Sequence, residues 1–209
     1  MIARWTPWRE AALVAVDVET TGLDPQTDRV ISFAAVPIDG GRVAPGASVY
    51  GLVRPGRDLP ATSIEIHGIR PQDLAGALAP EAAFETLADA VRGREVVAHA
   101  AWIERAFLGG PLRRHGIRLP RTLLDTSALW RLLTVEREHQ DPGVWQLGAI
   151  AEALGLPVHE PHHALGDALT TAQVFLALAT HLERHGRTTV GKLRAAENAV
   201  HGFRWLNPG

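Results

Sequence analysis

The apolar run Leu13-Val14-Ala15-Val16 closes on Asp17-Val18-Glu19-Thr20, and its β-branched residues read as a buried strand. Gly22-Leu23-Asp24-Pro25 then reads as a turn. A second strand is predicted over residues 29–38, carrying Val30, Ile31, Phe33 and Val36. Asp39-Gly40-Gly41 is a hairpin turn, and residues 47–54 supply a third strand in which Val49 and Val53 alternate. The chain therefore opens with an antiparallel meander.

Farther on the apolar spacing becomes helical. Pro80 suits a helix start, and Phe84, Leu87, Ala88 and Val91 follow at helical intervals. Residues 95–99 read as a short buried strand, followed by a helix over 102–115 that Gly116 stops. Leu123-Leu124-Asp125 is a fifth strand, with Asp125 as the N-cap of a helix around Leu129, Leu132 and Leu133. Leu147, Ile150, Ala151 and Leu154 mark another helix, capped by Gly155 with Pro157 beyond. A long final helix covers 164–184. Three antiparallel strands and two β-α repeats predict an α/β fold: a five-stranded mixed sheet with helices on both faces. Residues 1–11 read as an N-terminal extension, 12–185 as the main domain, and 186–209 as a more basic tail, docked or flexible.

Side chains on a strand alternate faces, so Asp17 and Glu19 point the same way. Two neighbouring carboxylates at the end of a buried strand repel each other and are costly to desolvate. A shared cation accounts for that cost. The chain has no Cys, and hard oxygen donors favour Mg²⁺ or Mn²⁺. The pair thus points to metal-assisted chemistry on a phosphate. Absence of Cys also excludes disulfides, thiolate zinc sites and a Cys nucleophile. The formal net charge of −2 argues against a protein that coats long stretches of duplex, but not against one that grips a strand end. No apolar stretch has signal-peptide or bilayer-spanning length, so no membrane partner and a cytoplasmic location are expected.

A second cluster opens the final helix: Pro161-His162-His163-Ala164-Leu165-Gly166-Asp167. Leu165, Leu169 and Leu176 share one face of that helix, whereas Val174 and Leu178 lie nearly opposite. A helix apolar on two sides is buried on both, which places Asp167 at least partly inside. A buried Asp needs a partner, and the cation of Asp17 and Glu19 would serve. His162 lies just ahead of the helix, where a loop can carry its ring over the cluster. Imidazole accepts a proton at neutral pH, so His162 is the best general-base candidate, with His163 as its rival.

Asp17-Val18-Glu19-Thr20-Thr21-Gly22 and the segment from His162 through Asp167 together resemble the first and third motifs of the DEDD-type 3′–5′ exonucleases, in the subgroup with a histidine base (DEDDh). That family includes the proofreading subunit of bacterial replicative DNA polymerase. Ile64-Glu65-Ile66-His67-Gly68-Ile69 is similar to the family's short helix near the 3′-terminal nucleotide. The resemblance covers residues 12–180 and implies a ribonuclease H-like sheet. The second motif departs from the pattern His-Asn-Ala-x-Phe-Asp. Here it reads His99-Ala100-Ala101-Trp102-Ile103-Glu104, with Glu104 where an Asp is expected.

The resemblance implies hydrolysis with two Mg²⁺ or Mn²⁺ ions and release of nucleoside 5′-monophosphates from a 3′ end. Asp17 would bridge both ions, Glu19 and Asp167 would serve the nucleophile side, Glu104 would support the second ion, and His162 would take the water's proton. Thr20, Thr21 and Gly22 would hold the terminal nucleotide through backbone amides, with His67, His99 and Trp102 as further candidate contacts. His67 and His99 serve equally well as cap or packing residues, and for Trp102 packing is preferred over stacking on a base. The expected partner is a nucleic-acid 3′ end, single-stranded or frayed DNA ahead of RNA, with a DNA polymerase as a further candidate. A weakly active end-binding module is the reading from another class. None of these patterns encodes the oligomeric state.

Overall fold

The computed structural model describes residues 2–138 and 145–196. β1 (Leu13–Thr20) forms as expected and sits inside a mixed sheet. β2 (Val30–Asp39) pairs antiparallel with it, Leu13 facing Ile38 and Glu19 facing Ser32. The register slips between Glu19 and Thr20, and such irregularities bend a strand and re-aim its side chains. Gly40 and Gly41 both take positive φ (58° and 71°), as a two-residue hairpin with the native twist requires. That turn returns the chain as β3 (Arg42–Val43), too short for any alternation to signal it. Residues 45–47 form a single 3₁₀ turn, so the third expected strand is shorter than predicted: β4 (Val49–Leu52), on the same edge of β2 as β3.

β5 (Glu95–Ala98) lies parallel to β1 on its other side, and β6 (Leu124–Asp125) lies parallel to β5. The sheet is therefore the expected five strands, antiparallel then parallel, plus the small β3. Its two faces carry different helices. Leu13, Ala15, Ala34 and Val36 pack with α4 (Thr126–Glu138) and α6 (Ala164–Glu183) through Leu129, Val174, Phe175 and Leu178. Val14, Val16, Phe33 and Ala35 pack with α2 (Pro80–Val91) and α3 (Trp102–Arg114) through Phe84, Leu87, Phe107 and Leu108. Burying large apolar side chains on both faces contributes roughly 1.5–3 kcal/mol each.

The short α1 (Ala61–His67) and α5 (Leu147–Ala153) fill the connections, and α7 (Val190–Arg194) follows α6. α6 is buried on two sides as predicted: Val174 and Leu178 are fully enclosed, while Leu165, Leu169 and Leu176 pack partly buried against the same core. Residues 2–11 clasp the end of the domain. Trp8 is 1% exposed and meets Phe175 edge-on at 6.1 Å. The Trp8 amide donates to the Thr188 carbonyl, and the Val190 amide donates to that of Thr6. Arg194 ion-pairs with Glu95 at the start of β5. The tail is thus docked through residue 196; residues 197–209 lie outside the described residues. Among the described residues no helix is long and apolar enough to cross a membrane.

Candidate active site

β5 pairs with β1 only at Leu13 to Ala15, so the sheet opens beyond that point. Asp17 and Glu19 continue the row of Leu13 and Ala15 into this opening, at the carboxyl end of the strand, where α/β sheets present ligand crevices. The first turn of α6 brings Asp167 to the same place. One carboxylate oxygen from each of Asp17, Glu19 and Asp167 lies within 4.8 Å of the others. Glu104, from the first turn of α3, is 2% exposed, and its Oε2 has no hydrogen-bond partner.

The electrostatics follow from this crowding. Burial, then Glu104, Glu19 and Asp167, hold the Asp17 carboxyl well above its ordinary value. Burial and the Asp167 charge push Glu19 up to about 8. Burial, together with Asp125 and Glu19, raises Glu104 despite a hydrogen bond from its own backbone. Burial raises Asp167, opposed by the His162 amide and the charges of His162 and His163. Four acids that resist ionisation in one place form a site shaped for a positive charge.

The two histidines part company. A Cβ at Gly166 would lie 2.4 Å from the His159 carbonyl and 2.6 Å from that of Glu160, so only glycine lets this loop cross the helix start. The loop then turns through His162 at φ 62°, a left-handed conformation uncommon outside glycine. The His162 amide donates to Asp167 Oδ2 at 3.0 Å, and the side chain remains exposed. His163 instead stacks on Tyr50, with ring centroids 4.7 Å apart, and its Nδ1 lies 3.8 Å from Glu160. Both stay close enough for their charges to act on Asp167.

His67 lies near His162. Burial and then that neighbouring charge lower it below the usual imidazole range. Its Nδ1 accepts from the Ile69 amide at 3.0 Å, which leaves the proton on Nε2, a buried donor with no partner. Beside Glu19 a cavity of about 240 Å³ is lined by Thr20, Gly22, Leu23, Ile66, His67 and Ile103 among others. Leu23 and Ile66 are 62% and 59% exposed, two large apolar side chains flanking that cavity.

Other expected contacts have different partners. The Thr21 hydroxyl donates to Asp28 Oδ1 at 2.8 Å and its amide donates to the Arg29 carbonyl at 2.9 Å, so Thr21 keeps no donor for a ligand. The Thr20 hydroxyl donates to the Gly22 carbonyl at 2.6 Å. A Cβ at Gly22 would lie 2.4 Å from the Asp28 carboxylate, so the glycine is needed for loop packing. His99 uses both ring nitrogens, with Thr126 Oγ1 and the Trp145 carbonyl each at 2.9 Å, and so clamps β5 to α4. The packing expectation for Trp102 is corrected: it is 54% exposed, on the outer face of α3. Asp125 caps α4 as expected, accepting from the Ser127 amide at 2.8 Å.

Tyr50, Gly166, Leu23 and Ile66 were not singled out in the sequence. Gly166, a glycine in the first turn of a long helix, carried a usable signal, since glycine costs about 1 kcal/mol there relative to alanine. Ala100, where the family pattern has Asn, takes φ 52°. A left-handed conformation costs an L-residue with Cβ roughly 1–2 kcal/mol, and glycine and Asn relieve it. Ala100→Gly and Ala100→Asn are therefore expected to raise the melting temperature by about 2–4 °C, read by calorimetry. No gain from either would mean that the turn before α3 is unstrained.

The sequence pattern of the Exonuclease family matches residues 14–175. The chain is 31% identical over 192 residues to "DNA polymerase III PolC-type" of Thermotoga maritima, covering 91% of this chain and 14% of that protein. It is 31% identical over 185 residues to "3'-5' exonuclease DinG" of Bacillus subtilis, covering 87% of this chain and 19% of that protein. The chain thus spans less than a fifth of the length of these two curated relatives. Among solved structures it superimposes on E. coli exonuclease I in complex with a dT13 oligonucleotide, with a TM-score of 0.71 at 18% identity over 84% of this chain and 42% of that one.

Proposed function

Since this chain belongs to the exonuclease family, we propose that it is a metal-dependent 3′–5′ exonuclease of the histidine subgroup, acting on single-stranded or frayed DNA ends and releasing nucleoside 5′-monophosphates. The observation that carries this reading is the convergence of Asp17, Glu19 and Asp167 within 4.8 Å, far apart in sequence but joined in one opening. The donor set fits a hard divalent cation. It is all oxygen, and the buried Glu104 Oε2 lacks a partner within the protein. Asp17, Glu19, Asp167 and Glu104 would hold Mg²⁺ or Mn²⁺, two ions in this reading. Bound there, such ions lower the pKa of an attacking water and stabilise charge on the phosphate and the leaving oxygen.

The chain's own groups do the rest. The cavity beside Glu19 receives the terminal nucleotide, with Leu23 and Ile66 against its apolar parts and His67 Nε2 offering a hydrogen bond. His162, exposed above the cluster, accepts a proton from the water. The new P–O bond forms as the bond to the 3′ oxygen of the preceding nucleotide breaks, leaving the phosphate on the released nucleoside. Residues 12–185 are the exonuclease domain in this reading, with both flanks docked as far as residue 196. The relatives' names support DNA as substrate and a polymerase as partner, and a cytoplasmic location goes with both.

The test is digestion of matched DNA and RNA oligonucleotides carrying a 3′ label, with Mg²⁺ or Mn²⁺ supplied. Mononucleotide release from DNA, faster than from RNA, is expected. Faster release from RNA would make the enzyme an exoribonuclease, and no release from either would leave an end-binding module.

Cation binding is also linked to pH. Glu19 titrates near 8 in the folded protein, whereas an unfolded Glu titrates near about 4.3. Its folded value is raised, so the metal-free protein is favoured at low pH and loses stability as pH climbs through that window. A divalent cation displaces the protons and removes that loss. At a metal concentration about 100 times Kd the stabilisation is roughly 2.7 kcal/mol. The expected shift is about 5–10 °C at pH 8 and under about 2 °C at pH 5. Equal shifts at both pH values would show that the carboxylates are not the ligands.

A further inference from the structure

Trp102, Arg105, Gly109 and Arg113 follow one another at intervals of three or four residues and form a single outer stripe of α3. Near the end of this stripe, Arg105, Arg113 and Arg118 line a concavity of about 450 Å³ floored by Gly109 and Gly110. Among the described residues none of these three guanidinium groups has an ion-pair or hydrogen-bond partner, and the hydrogen bonds of Arg105 and Arg113 are those of the backbone. Some other arginines are paired, as Arg9 is with Glu183, Arg57 with Asp28 and Arg94 with Asp39; what distinguishes these three is that they gather around one concavity. The glycines add an independent signal. Each costs about 1 kcal/mol in a helix interior relative to alanine. Yet a Cβ at either position would meet nothing within 4 Å, and neither takes positive φ. Pro111 follows Gly110 inside the helix, where a Cβ on the preceding residue would crowd the proline ring, so Gly110 has a backbone reason; Gly109 has none. What they provide is a bare floor between unpaired cations.

The stripe starts at the end of α3 nearest the active site, where other faces of the same turn carry Ile103 beside the cavity and Glu104 towards the acidic cluster. At 1.5 Å per residue it runs about 16 Å outward from Trp102 to Arg113. A stacked strand places about five phosphates along that length. We propose that this face is a track for the strand upstream of the 3′ end: Arg105, Arg113 and Arg118 hold its phosphates, Gly109 and Gly110 let its backbone lie close, and Trp102 stacks on a base. The assignment rests on the nuclease reading for the polarity of the strand.

The test compares fluorescence anisotropy of 3-mer and 12-mer oligonucleotides in EDTA with turnover of a dinucleotide in Mg²⁺. In the triple variant Arg105→Ala/Arg113→Ala/Arg118→Ala, the 12-mer Kd is expected to rise at least about tenfold. The slope of log affinity against log salt should fall by about 2, at roughly 0.7 per phosphate. Dinucleotide turnover and 3-mer binding stay within about twofold. Trp102→Ala weakens the 12-mer about tenfold. Gly109→Ala raises the melting temperature yet weakens the 12-mer, a combination that a structural role for this glycine would not produce. An unchanged 12-mer Kd and salt slope in the triple variant overturns the track. So does competition by a poly-glutamate peptide as strong as that by the oligonucleotide, which would assign the face to an acidic protein. Failure of wild type to cleave the dinucleotide counts against the nuclease reading alone, because the anisotropy arm reads the track without turnover.

Discussion

Asp17→Asn is expected to abolish nucleotide release while making the metal-free protein more stable. The two effects have one origin. Asp17 sits at the centre of the acidic cluster, its carboxyl held well above the ordinary value by burial, Glu104, Glu19 and Asp167. As pH rises past the unfolded carboxylate value, the folded protein must keep that proton or carry another charge among three acids. The amide has nearly the same shape and never ionises, so it removes this cost. The gain should be absent below about pH 4 and reach at least about 1 kcal/mol at pH 8, or roughly 2–4 °C. Turnover moves the other way. In the nuclease reading, loss of a central cation ligand would remove several kcal/mol of transition-state stabilisation, and about 5 kcal/mol corresponds to nearly 10⁴-fold in rate. Calorimetry at pH 4 and pH 8, beside 3′-label release in Mg²⁺, checks both. A variant that melts lower at pH 8 would mean Asp17 is a structural residue with good partners; one that keeps full turnover would move the chemistry elsewhere.

What could be read in the chain beforehand was periodic or local. β1 was legible because an apolar run ends on acids at alternate positions, and α6 because its apolar residues occupy two faces. The Gly40-Gly41 turn announces itself by residue type. β3 was not legible, since two residues cannot show a period. The convergence of Asp17, Glu19 and Asp167 depends on long-range packing; the two-sided burial of the last helix suggested it, and motif resemblance reinforced it.

The roles of neighbouring residues depended on geometry that the sequence leaves open. His99 stands in a motif, yet both its nitrogens are tied to Thr126 and Trp145, so it braces the site from behind. Thr21 stands in another motif, yet Asp28 and Arg29 take its hydroxyl and amide. For Trp102 the sequence left stacking and packing open, with packing preferred. Its exposure follows from the register of α3, fixed by Phe107, Leu108 and Leu112 turning inward. Gly166 shows the same limit, because only the path of residues 159–160 over α6 reveals why no side chain fits there.

That path also decides the second large effect. His162→Ala is expected to lower turnover by about 10²–10⁴-fold, the contribution of a positioned general base, while the metal-induced melting shift remains. His163→Ala is expected to change turnover less than about tenfold. It loses the stack on Tyr50, so it should instead cost about 0.5–1.5 kcal/mol of stability. The backbone supplies a control. His162 holds φ 62°, so glycine relieves strain that alanine keeps. His162→Gly should therefore match His162→Ala in lost turnover yet melt about 2–4 °C higher. If the large loss of turnover follows His163 instead, the stacked ring must swing away from Tyr50 to reach the water, and the loop would have to rebuild around Gly166. If neither variant loses more than tenfold, the water gives its proton to no histidine in this loop, and the subgroup assignment falls while the acidic cluster stands.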